Sequence, residues 1–234
     1  MANAERESAS YRPLGNPHHY TLIKALDGAT NKTVVVRWDP CTPITYRINA
    51  HHGGTGALQE ARSAVAKLVA ASGLRFHYLG MTNYIPAGKS TTYLGVPTVA
   101  FDPVAQRKAT GADLVIAWAK PGRGPGRSRL LSNSGEDGVG GYIYHWGYGS
   151  PLRITDGFAI IRDDVSLTPG FGRGLTVGHF LLHELGHAVG LDHYNDGVQQ
   201  MTQFWQASNA SPAQYNAGDI NGLHHVGRAA GCIK

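Results

Sequence analysis

Eleven residues late in the 234-residue chain have the types and spacing of a reaction centre: His183-Glu184-Leu185-Gly186-His187-Ala188-Val189-Gly190-Leu191-Asp192-His193. On a helix, His183 and His187 leave the same face about one turn apart and can grip one ion from the same side. Gly190 can end that helix in a left-handed conformation that residues bearing a Cβ disfavour. The chain can then turn back and bring His193 to the same ion. Three neutral imidazoles with one open position describe a catalytic zinc site rather than a closed structural one. Glu184 follows the first ligand directly, so its carboxylate lies beside the metal and can take a proton from metal-bound water. Met201 follows His193 by eight positions. Pairs of histidines at this spacing also arise in cores and on surfaces without a metal. Gly190 and His193 at their fixed offsets carry the metal reading.

These residues need a helix and a sheet to hold them. Thr176 is a fitting N-cap for a helix running to about Gly190, with Phe180, Leu181, Leu185 and Ala188 as its apolar back face. Upstream, Tyr20–Ala25 and Lys32–Trp38 are predicted as short strands around Asp27-Gly28, and Cys41–Ala50 and Leu74–Met81 as two further strands. Between the latter pair, the apolar residues at 57, 58, 61, 65, 68 and 69 follow a helical period, with Gly73 as a stop. Thr82–Gly111, with three prolines, reads as a long irregular region. Ala112–Ala119 is a continuous apolar run suited to a central strand buried on both faces. Val139–Trp146 and Asp156–Arg162 are two more strands. After Met201 the chain reads as loop through Ser211, with a last short helix over Asp219–Val226. Residues 1–18 are polar and proline-bearing, an N-terminal tail or arm; 19–234 read as one catalytic domain, its upper part ending near 193 and a C-terminal subdomain covering 194–234.

Composition narrows the class. Hydrophobic residues make up 42% of the chain, enough for a core, and no run of eighteen apolar residues suggests a membrane span. The first ten residues lack the apolar segment of a secretion signal, so the sequence alone leaves open a removed leader or a cytosolic protein. A net charge of +5 is a mild bias and does not make a nucleic-acid binder. Nothing fixes an oligomeric state. Cys41 and Cys232 lie near opposite ends of the domain; a disulfide between them fits an oxidising compartment, although two buried thiols would read the same. Asp163-Asp164 could offer calcium its oxygen ligands or be ordinary turn residues. His51 and His52 read as loop histidines. Arg123, Arg127 and Arg129 form a basic cluster in a Gly/Pro-rich loop that reads first as solvated, second as a contact for an anionic partner.

The motif at 183–193 with Met201, Trp38 before PITYRINA, ADLVIAWA and GDINGLHHVG together resemble the matrixin branch of the metzincins, in the form of its secreted bacterial relatives, over about residues 32–230. The resemblance implies an α+β metzincin fold: a twisted five-stranded mixed sheet with an antiparallel edge strand, two long helices, and a small C-terminal subdomain with a short helix. It implies a secreted zinc endopeptidase acting on peptide or protein substrates. His183, His187 and His193 would be the ligands of one Zn2+, Glu184 the general base, Met201 the Met-turn residue beneath the metal, and Val139–Trp146 the edge along which substrate lies. A structural Ca2+ stays an open alternative, resting on Asp163-Asp164 rather than on the resemblance. The sequence departs from the family's pattern at Thr202-Gln203, where tyrosine and proline are usual, and at Tyr194, where serine is. Loop 120–135 has no histidine, so no second, structural zinc is expected, and the position of Cys41 at the first catalytic strand favours a disulfide over a zinc-blocking cysteine. A zinc-bearing peptide-binding protein without turnover and a zinc hydrolase of a non-peptide amide are the alternatives.

Overall fold

The computed structural model describes residues 12–132, 135–147, 149–203 and 212–234; of residues 146 and 147 only the backbone is described. Chain order begins with β1 (Thr21–Leu22), β2 (Lys24–Asp27), β3 (Lys32–Val35) and β4 (Ile44–Asn49), then α1 (Ala57–Ser72) and β5 (Phe76–Met81). A hairpin of β6 (Gly88–Tyr93) and β7 (Val96–Phe101) leads to α2 (Pro103–Thr110) and β8 (Leu114–Pro121). There follow β9 (Arg127–Ser128), β10 (Gly138–Gly147), β11 (Ser150–Arg162), α3 (Val177–Ala188), β12 (Leu191–Asp192), α4 (Ala217–Val226) and a 3-10 turn over Arg228–Ala230.

The main sheet has the order β10-β11-β8-β4-β5, with the two-residue β9 added beside the end of β8. Only β10 runs antiparallel, against β11, and it forms the edge. The mixed α+β architecture, five-stranded sheet and antiparallel edge are those the sequence led us to expect. Parallel strands must be covered on both faces, and β8 is buried along nearly its whole length. On one face lie α1 and α3, whose Leu68, Leu181, Leu182 and Leu185 join Ile44, Ile48, Leu114 and Ile116 in the larger core. On the other face Phe101 and Leu131 pack with Phe158 and Ile160 in a second, smaller core.

That second core corrects the expectation for Thr82–Gly111. The segment is a β-hairpin and a helix rather than an irregular region, and its local chemistry explains both. Leu94-Gly95 makes the two-residue turn, with positive φ at both positions, as primed hairpin turns require. Asp102 caps α2 by accepting from the Ala105 amide, Pro103 occupies the first turn, and Gly111 closes the helix in the left-handed region, the asymmetry expected of helix ends.

Cys41 and Cys232 are joined in a disulfide, S–S 2.05 Å, across 191 positions. Arg37 donates to the Gly231 carbonyl at 2.9 Å, and Asp39 accepts from the amides of Cys41 and Ile233, so the C-terminus is pinned beside the entry to β4 by polar contacts as well. Residues 12–22 run along α4 and the strand before His193. Leu14 bonds Asn216 and Ala217, β1 pairs antiparallel with β12, and His19 meets Asp196 at 2.8 Å while stacking on Tyr194.

Candidate active site

Helix α3 forms where Thr176 is extended and accepts from the His179 amide. It buries Leu181, Leu182, Leu185 and Ala188 against the core and leaves His183 and His187 on the face towards a cleft of about 620 Å³. The helix ends at Ala188, and Gly190 follows with φ 107°. A Cβ there would lie 2.4 Å from the Val36 carbonyl oxygen, so this turn needs glycine for both backbone and space. The chain reverses through β12 and delivers His193.

The three rings meet. His183 and His193 Nε2 are 3.1 Å apart, His187 and His193 Nε2 3.1 Å, and His187 and His183 Nε2 3.2 Å. A tetrahedral ion bonded at about 2.0 Å to each would separate its nitrogens by roughly 3.3 Å. His183 Nδ1 lies 2.9 Å from the Gln200 carbonyl oxygen and His187 Nδ1 2.9 Å from that of Leu191. A carbonyl can only accept, so both Nδ1 atoms carry the proton and both Nε2 atoms present bare lone pairs. Lone pairs converging at this distance repel unless a Lewis acid lies among them. Burial and the neighbouring His187 ring push His183 down to about 3, and burial pushes His187 to about 4. Both effects keep the rings neutral, the form that binds metal. The donor set fits zinc.

Glu184 faces the edge strand. Burial pushes its carboxyl up to about 8; the Gly140 amide pulls it down and the charge of Glu136 pushes it further up. The seam between α3 and β10 is narrow. A Cβ at Gly138 would sit 2.8 Å from Glu184 Oε1, and one at Gly140 would sit 2.1 Å from the Glu184 carbonyl oxygen. These glycines let β10 close on the carboxylate. Glycine within a strand often marks such a close approach, and that was the signal available in GVGG.

Beneath the histidines, a Cβ on Gly186 would lie 2.4 Å from Met201 Sδ, so the methionine fills the space left by the missing side chain. A set of groups with no sequence motif holds this turn. Asp219 accepts from the amides of Gln200, Met201 and Asn216. The Gln200 amide group donates to the His179 carbonyl at 2.8 Å, and Gln199 Oε1 accepts from Gly218 and Asp219 at the start of α4. Tyr215 donates to the Leu182 carbonyl at 2.8 Å.

A family model described as Matrixin, a peptidase family, matches residues 95–226. The chain belongs to the matrixin family. As a matrixin it is a zinc-dependent metallopeptidase, its substrates peptides or proteins. Gln203, one of the matrixin departures, lines the cleft together with Leu175 and Phe180; Tyr194, the other, stacks on His19.

The remaining candidates lie elsewhere. Asp164 forms a two-point ion pair with Arg162, at 2.8 and 2.9 Å, and Asp163 lies 3.7 Å from His52 Nδ1. Among the described residues, the groups of three or more that converge at metal-ligand distance are the histidine triad and Asp39 with the two bridged cysteines. Asp164 is thus engaged with a cation of the protein itself. Arg129 donates to Ser90 at 2.9 Å and Arg127 to the Pro121 carbonyl at 2.8 Å.

Proposed function

We propose that this matrixin is a secreted endopeptidase in which His183, His187 and His193 bind one zinc ion, Glu184 is the general base, and Met201 supports the ligand set from below. The observation that carries this is the convergence of three imidazole Nε2 atoms, two of them fixed as unprotonated by carbonyl partners, beside a buried carboxylate. Zinc, when bound, supplies Lewis acidity to the scissile carbonyl and makes a water more acidic.

Everything else is work for the chain. The carboxylate of Glu184 takes the proton of the attacking water and later passes it to the departing amine. A neighbouring dication favours the ionised form of Glu184, offsetting the burial that raises it in the metal-free protein. The outer edge of β10 offers main-chain groups to an extended peptide, which would add as a further strand. Gly138 and Gly140 keep that edge close to Glu184. The disulfide supports a role outside the cytosol. Residues 19–234 then form a single catalytic domain.

The test is Glu184→Gln with zinc content and casein cleavage measured together. About one zinc per chain in both proteins, chelator-sensitive cleavage by the native enzyme and little by the variant support the assignment. A variant with near-native turnover removes Glu184 as the base. A native protein that holds zinc and cleaves neither casein nor a broad peptide library is a binding protein; release of acetate from acetylated sugars would mark a non-peptide amidohydrolase.

A further inference from the structure

The hairpin β6–β7 plays no part in the zinc site. Residues 89–97 are exposed without a break, and the apolar ones are at the tip: Tyr93 is 70%, Leu94 87% and Val96 60% exposed. The backbone at the tip is equally out of keeping with these side chains. Leu94 has φ 48°, a conformation suited to glycine, asparagine or aspartate and strained for leucine. Among the described residues the other non-glycine with positive φ is Asn31, a type that tolerates it. Water and backbone geometry alike disfavour leucine at 94, and a strained residue held at full exposure points to a use outside the fold.

The surroundings say what kind of surface it meets. The root of the hairpin packs on the Gly/Pro-rich loop: Ser128 donates to the Pro86 carbonyl, Arg129 donates to Ser90, and Leu130 lies against Gly88. Segments 82–101 and 120–132 contain no Asp or Glu, yet carry Lys89, Lys120, Arg123, Arg127 and Arg129. Lys89, Arg123 and Arg127 are exposed. An apolar tip bearing an aromatic residue, on a root whose own strand and supporting loop carry cations, is the chemistry of a segment that enters the interfacial layer of an anionic bilayer. No helix among the described residues is long and apolar enough to cross a membrane, so such attachment would be peripheral.

We propose that the β6–β7 hairpin is a membrane-docking finger, its Tyr93, Leu94 and Val96 entering an anionic lipid surface while Lys89 and the arginines of 123–129 engage the headgroups. The proposal stands independently of the peptidase reading, because lipid binding is measured without turnover.

The deciding variant is Leu94→Asn, which removes the apolar tip and installs a residue at ease with positive φ. The full chain is sedimented with vesicles of phosphatidylcholine alone and with added phosphatidylglycerol. Native protein should bind the anionic vesicles selectively and release them as salt is raised. Leu94→Asn should weaken this binding by roughly tenfold while melting no lower than the native protein and cleaving casein equally well. Lys89→Gln with Arg129→Gln should reduce the preference for phosphatidylglycerol. Absence of anionic-vesicle binding, or binding unchanged in Leu94→Asn, overturns the proposal. So does a Leu94→Asn protein that melts lower, which would make the residue structural. Loss of self-association in sedimentation without an effect on vesicles would assign the tip to a second copy of the chain, and a raised KM for casein alone would assign it to protein substrates.

Discussion

Glu184 occupies a seam between α3 and β10 that has room for a carboxylate and little more. His183 and His187 depend on bonds to carbonyl groups, but Glu184 depends on what is missing from the neighbouring strand. Gly138→Ala would press a methyl group against Oε1, 2.8 Å from the ideal Cβ. We expect it to displace the carboxylate, lower kcat for casein by about tenfold or more, and leave zinc content unchanged; steady-state kinetics with metal analysis checks this. His183, Glu184 and His187 were legible in the sequence because their spacing along one helix is itself the geometry, and His193 because Gly190 marks the turn that brings the chain back to them. Gly138 was not, because the side chain that forbids its Cβ lies 46 positions further on.

At the scale of elements, α3 supplies two imidazoles and the turn after β12 the third, and α4 ties both to the methionine turn through Asp219. Asp219→Ala would leave three buried amides without their acceptor, a loss of about 3 kcal/mol or more, with weaker zinc retention under chelator challenge. Its pH dependence has a definite sign. Burial pushes the Asp219 carboxyl up to about 6 against the opposing pull of those amides. Because the folded value exceeds the unfolded one, its proton-linked stabilisation is fully present below about pH 4 and is lost as pH rises through about 6. The stability gap between native and Asp219→Ala protein, both zinc-free, should therefore be widest near pH 4 and narrow towards pH 7, as denaturant titrations across that range would show. Sequence reading placed α4 but assigned Asp219 no role, since its partners Gln200 and Met201 are loop amides. It also missed the β6–β7 hairpin, where Leu94 conceals a turn that asparagine or glycine would have announced.

Across the whole molecule, the individual strands of the main sheet and its two long helices were legible from alternating and continuous apolar runs, whereas the five-stranded sheet with its antiparallel edge was implied by the matrixin resemblance. The cover on the face opposite those helices was not legible, because it depends on single anchors such as Phe101 and Leu131 that no periodicity reveals. The disulfide closes nearly the entire chain. In the loop-entropy account a ring of this length is worth about 5 kcal/mol. Replacing Cys41 and Cys232 by serine should lower the melting temperature by roughly 10–20 °C, read by calorimetry, with the zinc site intact at low temperature.

That ring also bears on the fate of a peptidase that cuts itself or its copies. The sheet, α1 to α4 and all three histidines lie between Cys41 and Cys232. One cleavage anywhere inside it leaves both fragments covalently attached. Nicked molecules would migrate as a single species on a non-reducing gel and separate into two bands only after a reductant is added. Loss of the arm before Cys41 would shorten the chain under both conditions, so paired gels can distinguish internal nicking from trimming of the end.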